Sequence, residues 1–214
     1  MSTELFENHR WSTTPQKKEF RHDMALELAP KGIALDVGCG DGLLLQMLSE
    51  KGIEVQGVDI SDVAVDVCTQ KGFTVSKSDF TTDALPFGDG TFDTVIALDV
   101  LEHVYNPEKL LAEMDRVAKS AIVISVPNFA SFPARMQVLL GKVPENNKPN
   151  KGHLYWFTWK VLKDLLAREH LIIHEARFNT VWQNVPILGL IMRKMAVWCP
   201  SLFALSFVIS TKKI

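Results

Sequence analysis

A chain of 214 residues with 23 Lys and Arg against 25 Asp and Glu suits one α/β domain, with or without an added cap. Its net charge of −2 gives no long-range pull toward nucleic acid or anionic lipid, and its 47% hydrophobic content is ample for a buried core. Three widely spaced cysteines, Cys39, Cys68 and Cys199, form no C-x-x-C pair; this argues against a disulfide framework or a zinc site and fits a reducing, cytoplasmic setting.

The first residues are polar and lack the apolar core of a signal peptide. Residues 16–29 are expected to form a lead-in helix, with Phe20, Met24 and Leu28 at helical spacing. A short buried strand at 33–37 runs into a glycine-rich turn and a helix over 42–51, and a second strand follows at 54–59. Ser61 is placed to cap a helix that Gly72 ends, before a third strand at 73–76. After a polar loop come a strand at 92–98, a helix opened by Asn106 and Pro107, and a strand at 121–126. Strands and helices alternating on short loops imply right-handed βαβ units and a parallel sheet.

Residues 128–152 join an apolar patch to a polar, proline-bearing loop, and 128–151 is the segment expected to form a substrate lid. Thr158 caps a further helix to about residue 170, a strand follows at 171–178, and the apolar stretch 185–209 ends the pattern. That stretch is long enough to raise the question of a membrane span. Arg193 and Lys194 near its middle would cost roughly 2.5–3.5 kcal/mol each at bilayer depth, and Pro200 breaks it. The reading is a short helix and then a strand at 203–210, with no membrane span but with peripheral membrane contact left open. One domain over 1–214 is expected, with a cofactor-binding core at 15–127 and substrate-side insertions at 128–157 and 180–201.

In LDVGCGDG (35–42), Gly38, Gly40 and Gly42 follow the first strand, flanked by Asp36 and Asp41. Asp59, Asp79 and Asp99 then follow the second, third and fourth strands. In an open α/β sheet, ligands bind where the strands' carboxyl ends meet a reversal of order. A row of acids there repels a pyrophosphate. Position 43 is Leu, so the third glycine of the dinucleotide pattern is missing, and there is no phosphate-binding lysine of the P-loop type. The ligand expected is a cationic adenosyl compound without phosphates, of which S-adenosylmethionine is the natural example.

LDVGCGDG, GVDIS (57–61), SDFTTDALPFGDGTFDTVIALDVLEHV (78–104), PEKLLAEMDRV (107–117) and HLYWFT (153–158) together resemble the class I S-adenosylmethionine-dependent methyltransferases. The resemblance implies a Rossmann-like, doubly wound, mostly parallel seven-stranded sheet with an antiparallel last strand. It also implies that Asp36 and the Gly38 and Gly40 backbone hold the methionine moiety. Asp59 would take the ribose hydroxyls, with Ile60 against the adenine. Asp79 would accept from the adenine amine, Phe80 would line that pocket, and Leu98 and Asp99 would meet the amino-acid end.

Methyl transfer requires alignment of nucleophile and methyl and, for a hydroxyl acceptor, a base. The candidates are Glu102, His103 and His153. Asp99, Glu102 and His103 also resemble the E-x-x-E-H metal motif of ubiquinone-type O-methyltransferases; Asp in the first position shortens the reach, and the reading favoured is a pocket lining without metal. Tyr155, Trp156, Phe157 and Trp159 are expected to be core for at least half of the group. The stretch PNFASFPARMQVLLGKVP (127–144) is similar to the methionine-biosynthesis protein MetW, whose relatives are linked to a homoserine acyltransferase partner, with a departure expected after Pro144. Two functions follow: transfer of a methyl to an O or C nucleophile of a small molecule, or an accessory role beside that acyltransferase.

Overall fold

The computed structural model describes residues 3–13, 15–29, 32–148 and 151–212. Seven strands, β1 (Ile33–Val37), β2 (Glu54–Asp59), β3 (Thr74–Lys77), β4 (Phe92–Leu98), β5 (Ala118–Pro127), β6 (Ile172–Thr180) and β7 (Ala204–Lys212), form one sheet. Their order is β3-β2-β1-β4-β5-β7-β6. β1 to β5 pair in parallel, while β7 runs antiparallel between β5 and β6, as the expected fold class requires. The order reverses between β1 and β4, so their carboxyl ends open the crevice in which such sheets bind ligands.

Helices cover both faces. α3 (Leu43–Glu50) buries Leu44, Leu45 and Leu48. α4 (Asp62–Gln70) starts where Ser61 Oγ accepts the Ala64 N–H, as its sequence position predicts. On α5 (Pro107–Val117), residues Leu110, Leu111, Met114 and Val117 recur at helical spacing and are buried against β4 and β5. α7 (Trp159–Arg168) does the same with Leu162, Leu165 and Leu166, opened by the Thr158 cap. Phe157 is buried and Trp159 packs edge-on to Phe178, whereas Trp156 is 53% exposed.

Two elements depart from expectation near the N-terminus. Residues assigned to a polar start form α1 (Thr3–Thr13), which has no buried residue and so leaves no apolar stripe in the sequence to mark it. The lead-in helix α2 is Phe20–Leu28 rather than 16–29; Glu19 and His22 close a capping box that begins it. Its buried positions are His22 and Ala25, with Met24 and Leu28 only partly covered. The insertions hold α6 (Phe132–Leu139), α8 (Pro186–Trp198) and α9 (Pro200–Phe203). Among the described residues no helix is long and apolar enough to cross a membrane.

Candidate active site

The first βα turn supplies the floor. Gly38 has φ +73, and a Cβ there would lie 2.6 Å from Val100 Cγ2, so this position demands glycine both for its backbone and for its space. Gly40 has φ +55 and is covered by the indole of Trp11, from α1. Its N–H donates to Asp59 Oδ2 at 2.8 Å, and the Ser61 N–H donates to Oδ1 at 2.9 Å. Asp59 is thus locked at the end of β2, and the Ile60 backbone adds to the same carboxylate's hydrogen bonds. Burial pushes its carboxyl up, and the backbone N–H bonds pull it part of the way back.

A narrow cleft opens over this floor. Gly38, Asp59, Ile60, Phe80, Leu98 and Asp99 all line it. Asp36, Gly40 and Asp79 do not. Asp36 is fully sequestered beneath the glycine turn, where burial raises its carboxyl well above the ordinary range. Asp79 turns back on its own loop, accepting from the Thr81 N–H at 3.1 Å and from the Thr81 hydroxyl. Asp41 accepts the N–H groups of Gln16 and Leu43, so it holds the turn rather than facing the cleft.

The opposite wall comes from residues that no sequence motif singled out: Glu7, Arg10 and Trp11 of α1, together with Gln16 and Arg21. α1 is tied down by Ser61 Oγ donating to Asn8 Oδ1 at 2.6 Å and by the Lys77–Glu4 pair at 2.7 Å. Arg21 lies 3.2 Å from Asp99 and also pairs with Glu19. The acidic rim is therefore partly neutralised from within. The signal in the sequence was faint: two arginines, Arg10 and Arg21, in an otherwise ordinary polar segment.

Asp99 sits at φ 55, in the left-handed region that an aspartate adopts only when its surroundings hold it there. Its N–H donates to Ser125 O at 3.1 Å, and its carboxylate accepts from the Ser125 hydroxyl. This reversal throws the chain into the 3-10 turn Leu101–His103.

Beyond Asp99 the cleft meets a chamber of about 720 Å³, and Arg10, Arg21, Asp99 and His103 belong to the walls of both. Glu102, His103 and His153 stand together in the chamber wall, their ligand atoms within 4.8 Å of one another. The loop before α7 is pinned there by the Leu154 and Tyr155 N–H groups, both donating to Glu102 O. Glu102 is 1% exposed, and its Oε2 has no hydrogen-bond partner. Burial drives its carboxyl well above the usual range, with Asp99 nearby adding to the effect. His153 Nε2 lies 3.9 Å from Glu102 Oε1. Burial, with His153 alongside, lowers His103 to about 4, so its ring is neutral near pH 7. His103 Nδ1 is 3.2 Å from Gly152 O; a carbonyl can only accept, so Nδ1 carries the proton and Nε2 is left as an acceptor. Asp99 is not part of this trio; it is committed to Arg21 and Ser125.

Comparison with known proteins adds to this geometry. The family model described as methionine biosynthesis protein MetW matches residues 20–181, running well past the departure expected at Pro144. A ubiquinone biosynthesis O-methyltransferase from Methylococcus capsulatus is 36% identical over 91 residues, which cover 40% of this chain and 38% of the relative. Norajmaline N-methyltransferase from Rauvolfia serpentina is 36% identical over 109 residues, 47% of this chain and 37% of that one. The matched segment thus spans less than two fifths of either relative's length. Among solved structures, magnesium protoporphyrin IX methyltransferase from Synechocystis PCC 6803, with SAH bound, superposes with a TM-score of 0.65 at 18% identity, covering 99% of this chain and 95% of that one. The fold is that of the class I methyltransferases.

Proposed function

The chain belongs to the MetW family, and from that premise we propose that it is an S-adenosylmethionine-dependent methyltransferase acting on an O or C nucleophile of a small molecule held in the chamber. One observation carries the reading: a cleft floored by Asp59 and Gly38 adjoins a chamber holding Glu102, His103 and His153, and the two share four residues. Fold alone does not assign this activity.

The residues present suit the cofactor. Asp59 lines the cleft as an acceptor for a ribose diol, Ile60 and Phe80 give apolar walls to an adenine, and Gly38 presents bare backbone to the cleft. Arg21 offers a guanidinium to a carboxylate at the amino-acid end, beside Asp99 and Leu98. When bound, the cofactor supplies an activated methyl on a sulfonium. The chain's own part is to align an acceptor, exclude water and take its proton. His103 Nε2 is neutral and unprotonated near pH 7, and Glu102 stands beside His153 to receive or hold a proton. Phe157 and Trp159 are structural. The absence of any C-x-x-C pair and the free thiols of Cys39 and Cys68 support a reducing cytoplasm.

Calorimetry with S-adenosylmethionine tests the cofactor half of this reading, and NAD serves as the control: binding of NAD in its place overturns the reading. Release of S-adenosylhomocysteine with an acceptor, lost in Glu102→Gln and His103→Asn, tests the chemistry. Family membership favours a second reading, an accessory subunit of a homoserine acyltransferase. That subunit would copurify with the acyltransferase and raise its activity even with Glu102 and His103 replaced by alanine.

A further inference from the structure

We propose that the outward faces of α6 and α8 form a docking surface for an anionic lipid bilayer. α8 is apolar on two sides. Gly189, Met192 and Ala196 are buried against the body of the protein. Ile187, Leu190, Ile191, Lys194, Val197 and Trp198 recur at helical spacing on the side facing solvent. Trp198 is 84% exposed and Ile187 77%. A surface helix normally turns charged and polar residues outward, and between Pro186 and Trp198 there is no uncharged polar side chain at all.

α6 repeats the pattern: Phe132, Met136, Leu139, Leu140 and Val143 are all exposed at helical spacing along and just beyond it. The two helices leave the same rim. β5 and β6 are separated in the sheet only by β7, and both run toward the chamber edge before α6 and α8 begin. The ends of these two strands are therefore about 10 Å apart. Exposed apolar helix faces of this size mark an interaction site.

Charge selects the occupant. Residues 128–151 and 181–203 hold six basic side chains and one acidic one, Glu145, while the remaining 167 residues hold 17 basic and 24 acidic. Glu145 is itself paired with Lys148 at 2.6 Å. The overall charge of −2 thus conceals two basic, apolar segments in an otherwise acidic chain. Aliphatic side chains with an exposed Trp and flanking Arg and Lys are what a helix lying in a lipid interface presents. A symmetric dimer through α8 would bring Arg193 and Lys194 of both copies into one interface with no acid on the helix to answer them. α6 also lines the acceptor chamber through Ala134 and Gln137, so a docked bilayer would lie beside it.

Vesicle sedimentation tests the proposal independently of cofactor binding or activity. The full chain should pellet with phosphatidylcholine vesicles containing about a third phosphatidylglycerol, and tenfold or more weakly with phosphatidylcholine alone or in high salt. Bromine-labelled acyl chains should quench its Trp fluorescence, and Trp182→Phe combined with Trp198→Phe should remove most of the quenching. Arg193→Glu with Lys194→Glu and, separately, Leu190→Glu should each reduce binding tenfold or more at an unchanged melting temperature; these positions are solvent-facing. If Leu190→Glu fails to fold, the charge variant and the quenching on the native chain decide. No binding, binding indifferent to the charge variant, or a self-association or protein complex that protects Trp198 while vesicles stay empty would each overturn the assignment.

Discussion

At Asp59, the Gly40 and Ser61 N–H groups take one lone pair of each carboxylate oxygen, so substitution has two separable effects. Asp59→Ala should weaken S-adenosylmethionine binding by about 1–3 kcal/mol, the usual cost of removing a buried polar partner, with some added loss from a loosened turn. Calorimetry that finds unchanged affinity removes the ribose assignment. Gly38→Val should go further than blocking the cleft, since a Cβ at φ +73 meets Val100 and strains the fold itself; a lowered melting temperature without ligand is expected. His103 and Glu102 pull stability in opposite directions with pH. His103 titrates near 4 when folded and near 6.5 when unfolded. The unfolded chain therefore binds more protons between those values, and stability on the order of 3 kcal/mol is lost as pH falls through that window. Glu102 is raised well above 4.5, so the folded chain holds the extra proton and stability falls as pH rises above 4.5. Urea titrations at pH 5 and 7 should show His103→Asn losing relative stability on going up in pH, and Glu102→Gln gaining it.

At the level of single elements, α1 is the informative case. It buries nothing of its own, yet its Glu7, Arg10 and Trp11 wall the cleft. Removing residues 1–13 should therefore cost cofactor affinity tenfold or more while leaving the melting temperature of the unliganded chain within a few degrees. Equal losses in both would make α1 a structural element and not a wall of the site. The helix was invisible in the sequence because helices are usually read from an apolar stripe, and α1 makes its contacts through Trp11, Asn8 and Glu4 instead. α4 and α5 were legible down to their caps, because Ser61 and Asn106 each accept the N–H of the residue three positions on, a bond set by local sequence. β5 extends three residues earlier than its apolar run, from Ala118, because it pairs there with Phe92 and a sheet ladder does not require apolar side chains at its end.

For the whole molecule, the core is continuous from β4 and β5 through α5 and α7 to β7, and on that basis we propose that the chain folds as one domain. A single cooperative transition by calorimetry and circular dichroism is expected, and two resolved transitions would divide the chain. Saturating S-adenosylmethionine should raise the midpoint by mass action, as a ligand that binds only the native state does. The charge segregation between the two basic segments and the otherwise acidic chain belongs to this scale as well, because no single helix displays it.

Periodicity, caps and glycine placement are local properties, and so the sequence alone determined the alternation of strands and helices, the parallel sheet and the crevice at its carboxyl edge, while the antiparallel last strand followed only from the resemblance to the methyltransferases. Which acids face that crevice was a tertiary matter. A strand-end aspartate can face the ligand space, lie buried under the turn or fold back on its own loop, as Asp59, Asp36 and Asp79 do, and the packing around each decides which. The tertiary structure also brought Arg21 to Asp99 and His153 to Glu102, pairs separated by tens of residues along the chain, where only packing sets the distance.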